Sequence, residues 1–354
     1  MPALSPLGSD VNHAVQSKGV STVLKSIATI VTVFTIGIAA VGPCAAQSPS
    51  HQQFTMVSKG HDYPTFLAFD SRGDLYVTNN GDGTISRITL SNGRVETFAR
   101  GLGRPQGLAF DGNGILFVAN LDAIWKVYPD GNAVIFATLP RESVCPRHFD
   151  VYRKRCGASG ASLVGLAFDA MGRLSVATFG TKTVKRLSPQ GAPSVIVSGL
   201  GQNRQSIEYG DFSTGPYGLA ADRAGNLYVS LRDGFIRKIL IDGSERTLGS
   251  TGIGSDIRGI AVDDEGNIFA ASREYRGRGL IGKMTPDGQV ELLATGLADD
   301  PQGVALDGRG NLFVANRRDG RISRRRIVPG RSLATSAPRR GQDLKTNAPV
   351  RAQQ

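Results

Sequence analysis

PTFLAFDSRGDLYVTN, residues 64–79, writes out a strand, a turn and a second strand. Residues 66–69 (FLAF) are a short apolar run suited to a strand buried on both faces. Asp70-Ser71-Arg72-Gly73 reverses the chain, with glycine supplying the positive φ that a tight hairpin needs. Residues 75–78 (LYVT) have the β-branched and aromatic content of a second strand. Working outward, residues 83–90 carry a third strand, Ser91-Asn92-Gly93 a further turn, and residues 95–99 an outer strand. The phrase returns as PQGLAFDGNGILFVAN from Pro105, LVGLAFDAMGRLSVAT from Leu163, PYGLAADRAGNLYVS from Pro216, IRGIAVDDEGNIFAAS from Ile257 and PQGVALDGRGNLFVAN from Pro301. Its aspartates (Asp70, Asp111, Asp169, Asp222, Asp263, Asp307) stand 41, 58, 53, 41 and 44 residues apart. A period near 40 with four short strands per unit predicts a propeller blade. Six units predict an all-β, six-bladed β-propeller of four-stranded antiparallel blades.

The outer strands follow at 95–99, 133–138, 194–198, 244–248 and 289–294, and the sixth is missing where Val328-Pro329-Gly330 leads into a polar tail. Residues 54–60 (FTMVSKG) precede Pro64 as residues 95–101 precede Pro105. This N-terminal strand is expected to complete the last blade and close the ring, removing an open edge. Each D-x-x-G step offers one aspartate, too few for calcium, which needs six or more converging oxygens. These steps read as turns.

Around the ring the chain divides into residues 1–46, 47–328 and 329–354. Residues 27–41 (IATIVTVFTIGIAAV) are uncharged, follow Lys18 and Lys25, and precede Cys44-Ala45-Ala46. That is the form of a secretory signal peptide, which predicts a periplasmic or secreted, extracytoplasmic protein. The alternative is an uncleaved N-terminal membrane anchor. Cys145 and Cys156 share one insertion, and export predicts that they pair as a disulfide. Net charge is +11. Part of it lies in a Pro-, Ser- and Gln-rich tail expected to be disordered, and part in the run of Arg317, Arg318, Arg321, Arg324, Arg325 and Arg326. Export argues against a nucleic-acid role for that run. It leaves weak, salt-sensitive attraction to an anionic envelope surface.

Propeller geometry puts the outer-to-inner connections and the strand-two exits on one face. Both long insertions, residues 140–162 and 199–215, belong there, and function concentrates where loops lengthen over a rigid scaffold. The exits bring Asn79, Asn80, Asn120, Arg232, Arg273 and Asn316 to that face. The x of each P-x-G head points toward the channel mouth: Thr65, Gln106, Val164, Tyr217, Arg258 and Gln302. That ring is polar and slightly cationic, with no carboxylate. Candidate ligand-binding residues are therefore Thr65, Gln106, Tyr217, Arg258, Gln302, Asn79, Asn120, Arg232, Arg273 and Asn316. The amides would hydrogen-bond a polar ligand, and the arginines would attract a carboxylate, uronate or phosphate. An envelope protein or polysaccharide is the other partner class. No G-x-S-x-G elbow, P-loop or dinucleotide motif is present.

PQGLAFDGNGILFVAN and PYGLAADRAGNLYVS resemble NHL repeats and, beyond them, the six-bladed propellers that include gluconolactonases and regucalcin. The resemblance covers residues 53–328 and implies the fold. Lactonases of that group hold a divalent metal with Glu, Asn and Asp at the heads of three inner strands. The matching positions here are the six head residues just named, so no metal ligand and no cofactor carries over. Pro216-Tyr217-Gly218 is similar to virginiamycin-lyase-like propellers, which work with histidine and glutamate near the channel. The exits here carry no such glutamate, and of His51, His61 and His148 only the last two could reach the upper face. The expectation is an exported binding platform without metal chemistry. The alternative is a diverged lactonase or lyase using Glu208, Asp211 and His148.

Overall fold

The computed structural model describes residues 53–139, 162–201, 214–250, 256–273, 279–295 and 300–327. All fall in the compact unit His51–Gln354. The expected signal peptide, the expected Cys145–Cys156 pair, the interiors of the two long insertions with His148, Glu208 and Asp211, and the basic tail lie outside the described residues.

The described residues form six four-stranded antiparallel sheets. After β1 (Thr55–Ser58), blade one holds β2 (Pro64–Phe69), β3 (Leu75–Asn79), β4 (Thr84–Thr89) and β5 (Arg94–Ala99). Blade two holds β6 (Pro105–Phe110), β7 (Leu116–Asn120), β8 (Ala123–Val127) and β9 (Ala133–Thr138). Blade three holds β10 (Leu163–Phe168), β11 (Leu174–Thr178), β12 (Thr183–Leu187) and β13 (Pro193–Val197). Blade four holds β14 (Pro216–Ala221), β15 (Leu227–Leu231), β16 (Phe235–Ile239) and β17 (Glu245–Ser250). Blade five holds β18 (Asp256–Val262), β19 (Ile268–Arg273), β20 (Gly279–Met284) and β21 (Val290–Thr295). Blade six holds β22 (Pro301–Leu306), β23 (Asn311–Asn316) and β24 (Arg321–Arg326), and β1 completes it. Each inner strand packs on the inner strand of the next blade, and β22 packs on β2 to close the circle.

Closure is as expected from residues 54–60. β1 pairs antiparallel with β24, Thr55 opposite Arg324 and Met56 opposite Ser323. Apolar packing reinforces it across the join: Leu67, Leu75, Val77 and Ile88 of blade one meet Ala305, Phe313, Ala315 and Ile322 of blade six. Burial of this kind is worth roughly 25 cal/mol per Å². His61 belongs to the same join. It is buried, its Nε2 lies 2.8 Å from Ser58 Oγ, and its backbone N–H donates to the Gly320 carbonyl. It is a structural residue, not a surface group.

The D-x-x-G steps are turns, and their aspartates have a specific job. Asp70 Oδ1 accepts from the backbone N–H of Arg72 at 3.0 Å and of Asp74 at 2.9 Å. Asp111, Asp169 and Asp307 accept the same two N–H groups of their own turns, and Asp222 and Asp263 accept the second of them. The carboxylate satisfies donors that the hairpin would otherwise leave open. In the arginine-rich strand β24, Arg321, Arg324 and Arg326 are exposed, whereas Arg325 turns inward and donates to the Leu293 carbonyl. Among the described residues, no helix is long and apolar enough to cross a membrane.

Candidate functional site

A β-bulge sits at the head of every inner strand, between Pro64 and Leu67, Pro105 and Leu108, Leu163 and Leu166, Pro216 and Leu219, Ile257 and Ile260, and Pro301 and Val304. A bulge re-aims a side chain, and here it falls on the x-G pair. The glycine of that pair is required by space. A Cβ at Gly107, Gly165, Gly218, Gly259 or Gly303 would overlap the backbone of the next inner strand, at Val164, Tyr217, Arg258, Gln302 and Thr65 respectively. Blade one is the exception. Phe66 stands at the glycine position, and its ring stacks on Tyr217 of the fourth blade at 5.9 Å and 21°. Hydroxyls tie neighbouring heads together: Thr78 Oγ1 donates to the Gln106 carbonyl at 2.7 Å, and Ser230 Oγ to the Arg258 carbonyl.

Above this collar lies a charge network. Arg232 Nε donates to Asp256 Oδ1 at 2.7 Å. Arg258 bridges two carboxylates, reaching Asp256 Oδ2 at 3.0 Å and Asp300 Oδ1 at 2.9 Å. Arg273 lies 3.8 Å from Asp256 and 3.9 Å from Asp300, and Arg317 lies 3.9 Å from Asp300. Among the described residues, four guanidinium groups against two carboxylates leave two positive charges in excess (4 − 2). The partners differ in access: the Arg258 side chain is 7% exposed, those of Arg273 and Arg317 are 39% and 36%. Arg258 is the keystone, while Arg273 and Arg317 stand too far from the carboxylates for hydrogen bonds and face solvent. Burial works to raise the Asp256 carboxyl, but the bonds and charges of Arg232 and Arg258 prevail and hold it below the ordinary range. Burial pushes the Tyr217 hydroxyl up, against the pull of Arg258, Arg232 and Arg317, so it stays a donor at neutral pH.

Aromatic rings alternate with these cations. The Phe179 edge meets Tyr217 at 6.4 Å, with the Arg232 guanidinium 5.6 Å from the Phe179 centroid. Arg317 lies 5.2 Å from the ring of Tyr63, which is exposed and held at φ 51°, a left-handed backbone costly for a residue with a side chain. Tyr217 Oη donates to Gln302 Oε1 at 3.2 Å. Gln302 Nε2 and Gln106 Oε1 are buried and have no hydrogen-bond partner among the described residues.

Of the ten residues singled out from the sequence, the structure gathers Arg232, Arg258, Arg273, Tyr217 and Gln302 at the mouth. The others are placed differently. Asn79 Nδ2 donates to Thr84 and Ser86, Asn316 Nδ2 to Ser323, and Asn120 Nδ2 to the Leu102 carbonyl. The Asn79 and Asn316 amides turn back onto the strand pairs they leave, and the Asn120 amide ties its exit to the connection from blade one to blade two. Thr65 is buried and its hydroxyl lies 2.8 Å from that of Thr78. Gln106 is partly buried at the channel. The mouth also holds carboxylates, contrary to what the x column alone suggests. Asp256 and Asp300 sit one position before the blade-five and blade-six heads, a column that the repeat alignment displays but that the x positions miss. Asp233, in the turn after Arg232, is held above the ordinary carboxylate range by burial, against Arg237 and Lys182.

No protein-family model matches the chain, and no curated protein matches it. Solved structures do. Regucalcin, a calcium-binding protein from Agrobacterium tumefaciens, is 15% identical with a TM-score of 0.60, covering 80% of this chain and 96% of that one. A gluconolactonase from Xanthomonas campestris is 17% identical with a TM-score of 0.58, covering 78% and 90%. Virginiamycin B lyase from Staphylococcus aureus is 13% identical with a TM-score of 0.52, covering 78% and 99%. The fold is thus that of the gluconolactonase- and regucalcin-like propellers. The described residues of this mouth do not suit a divalent metal: the heads offer no carboxylate, and Asp256 and Asp300 are already neutralised by four guanidinium groups, where a hard cation needs free anionic oxygens. Among the described residues, no three His, Cys, Asp or Glu side chains converge as a metal-binding group.

Proposed function

We propose that the chain binds an anionic ligand, a carboxylate, uronate or phosphate, at the arginine-rich mouth of its channel, in the periplasm or outside the cell. The supporting observation is the excess of guanidinium over carboxylate among the described residues, with Arg273 and Arg317 half-exposed and no nearer than 3.8 Å to a described carboxylate. A ligand oxygen would gain charge-assisted hydrogen bonds from both. The NHL-like repeat supplies the rigid ring, and an envelope protein or polysaccharide carrying such groups is the larger form of the same partner.

Of the two uses of such a site, passive binding and catalysis, the fold comparisons favour the second, since the solved structures with this architecture include lyases and a gluconolactonase. In a lactonase- or lyase-type reaction the Tyr217 hydroxyl and the arginines would stabilise a developing oxyanion. Asp233, with its raised affinity for a proton, is the described group suited to proton transfer on this face.

Calorimetric titration of residues 47–354 with phosphate, gluconate and benzoate tests the binding reading. Arg273→Ala together with Arg317→Ala should weaken the best anion at least tenfold, at roughly 1.5–3 kcal/mol per charged hydrogen bond, and flatten its salt dependence. Unchanged affinity in the double variant removes the mouth from consideration. Metal-independent turnover of a lactone, abolished in Asp233→Asn, would establish the enzyme.

A further inference from the structure

Resting on the anion-binding reading above, we infer that the preferred ligand is an aromatic carboxylate whose ring seats on the Phe66–Tyr217 pair. The argument begins with the collar. Five blades need glycine at the second head position because a Cβ there would strike the next strand. Blade one alone carries a large ring at that position; it packs beside the core between blades one and two and also stacks on Tyr217 of blade four. Both rings are only partly buried. With Phe179 standing edge-on to Tyr217 at 83°, they form an aromatic floor at a mouth whose walls are cationic.

A ligand matching this surface has two parts. A planar π face gains offset stacking on the floor, worth a factor of roughly 2 to 12 beyond the area it buries. A carboxylate on its rim reaches Arg273 and Arg317, whose planar forks fit carboxylate geometry. Arg232 over Phe179 and Arg317 over Tyr63 show that guanidinium groups here already lie against rings. Gln302 Nε2 and Gln106 Oε1, buried and without partners among the described residues, are a donor and an acceptor, either of which a ring hydroxyl would satisfy. A sugar acid fits less well, because its many hydroxyls would face the aromatic floor.

The test is calorimetric titration with benzoate, 4-hydroxybenzoate, cyclohexanecarboxylate, gluconate and inorganic phosphate, using wild type, Phe66→Gly and Phe66→Leu. Phe66→Gly restores the residue of the other five blades, and Phe66→Leu keeps apolar bulk without a π face should the glycine variant fail to fold. The expected result is that both benzoates bind about tenfold tighter than cyclohexanecarboxylate or gluconate. That preference should vanish in either Phe66 variant while gluconate and phosphate affinities hold. Gluconate, cyclohexanecarboxylate or phosphate binding as tightly as the benzoates overturns the aromatic assignment and leaves the anion site standing. A preference that survives both Phe66 variants also overturns it. Absence of binding by all five overturns both readings.

Discussion

Replacing Arg258 with alanine removes the side chain that, among the described residues, hydrogen-bonds both Asp256 and Asp300. It donates from Nε and Nη2 to Asp256 Oδ2 at 3.2 and 3.0 Å and from Nη1 to Asp300 Oδ1 at 2.9 Å. The loss falls unevenly. Asp256 keeps Arg232 at 2.7 Å, whereas Asp300 is left with Arg273 and Arg317, both at 3.9 Å. Stranding a buried charge costs about 3–5 kcal/mol. Asp300 is 13% exposed and can draw water, which places the expected cost near the lower end, about 3 kcal/mol. For a ring of this size that corresponds to a fall in Tm of roughly 6–12 °C. Urea unfolding followed by circular dichroism, with a thermal scan beside it, measures both. The pH dependence gives a second check. The folded Asp256 carboxyl titrates below its ordinary value, so its stabilisation is full above that value and is lost as pH falls through the lower one. The gap between wild type and Arg258→Ala should therefore narrow below about pH 4. Arg258→Lys should fall between the two proteins, because an ammonium cannot span both carboxylates. A loss under about 1 kcal/mol for Arg258→Ala would refute the keystone role.

Deleting residues 53–58 removes β1 from blade six and should abolish cooperative melting or leave the protein insoluble; a truncated protein that melts like the parent contradicts the closure. Burial lowers the affinity of His61 for a proton, so the unfolded chain takes up a proton that the folded chain resists. Stability should fall as pH drops below about 6.5 and level off below the folded value. His61→Gln should lack that step in urea midpoints measured from pH 7.5 to 4.5, and an identical profile would remove His61 as its cause. Asp222→Ala strips the acceptor for Asn226 N–H at 2.9 Å, Asn226 Nδ2 at 2.8 Å and Tyr228 Oη at 3.2 Å, and should cost about 1–2 kcal/mol. Asp222→Asn, which keeps the acceptor oxygen, should cost less in the same unfolding assay.

The ring was legible because it is periodic. Six aligned copies show the inner strands, the turn aspartates and the missing outer strand, and the residues that fill that gap lie in plain view at 54–60. The cationic part of the mouth was legible for the same reason, since Arg232, Arg258 and Arg273 occupy columns that propeller geometry brings together. Direction within a column was not. Asn79, Asn120 and Asn316 occupy the expected exits, yet each amide turns to a partner that only the folded geometry supplies, within the hairpin for Asn79 and Asn316 and in the inter-blade connection for Asn120. The carboxylates were overlooked because they come from the column before the head, where Tyr63, Arg104, Ser162, Gly215, Asp256 and Asp300 share no residue type that marks the position. Phe66 was visible as the one broken glycine, but a sequence does not say whether a ring fills a channel or a core.

A propeller assembled from equal blades has a rotational ambiguity: whatever lies over its axis meets the same surface at each sixth of a turn. Glycine at five heads preserves that equivalence, and the sixth head ends it. With one aromatic head in blade one and the fixed charges drawn from blades four to six, the mouth acquires a front and a back. A repeat architecture needs some such mark before it can hold an asymmetric molecule in a single pose, and here the aromatic head and the one-sided charges supply it together.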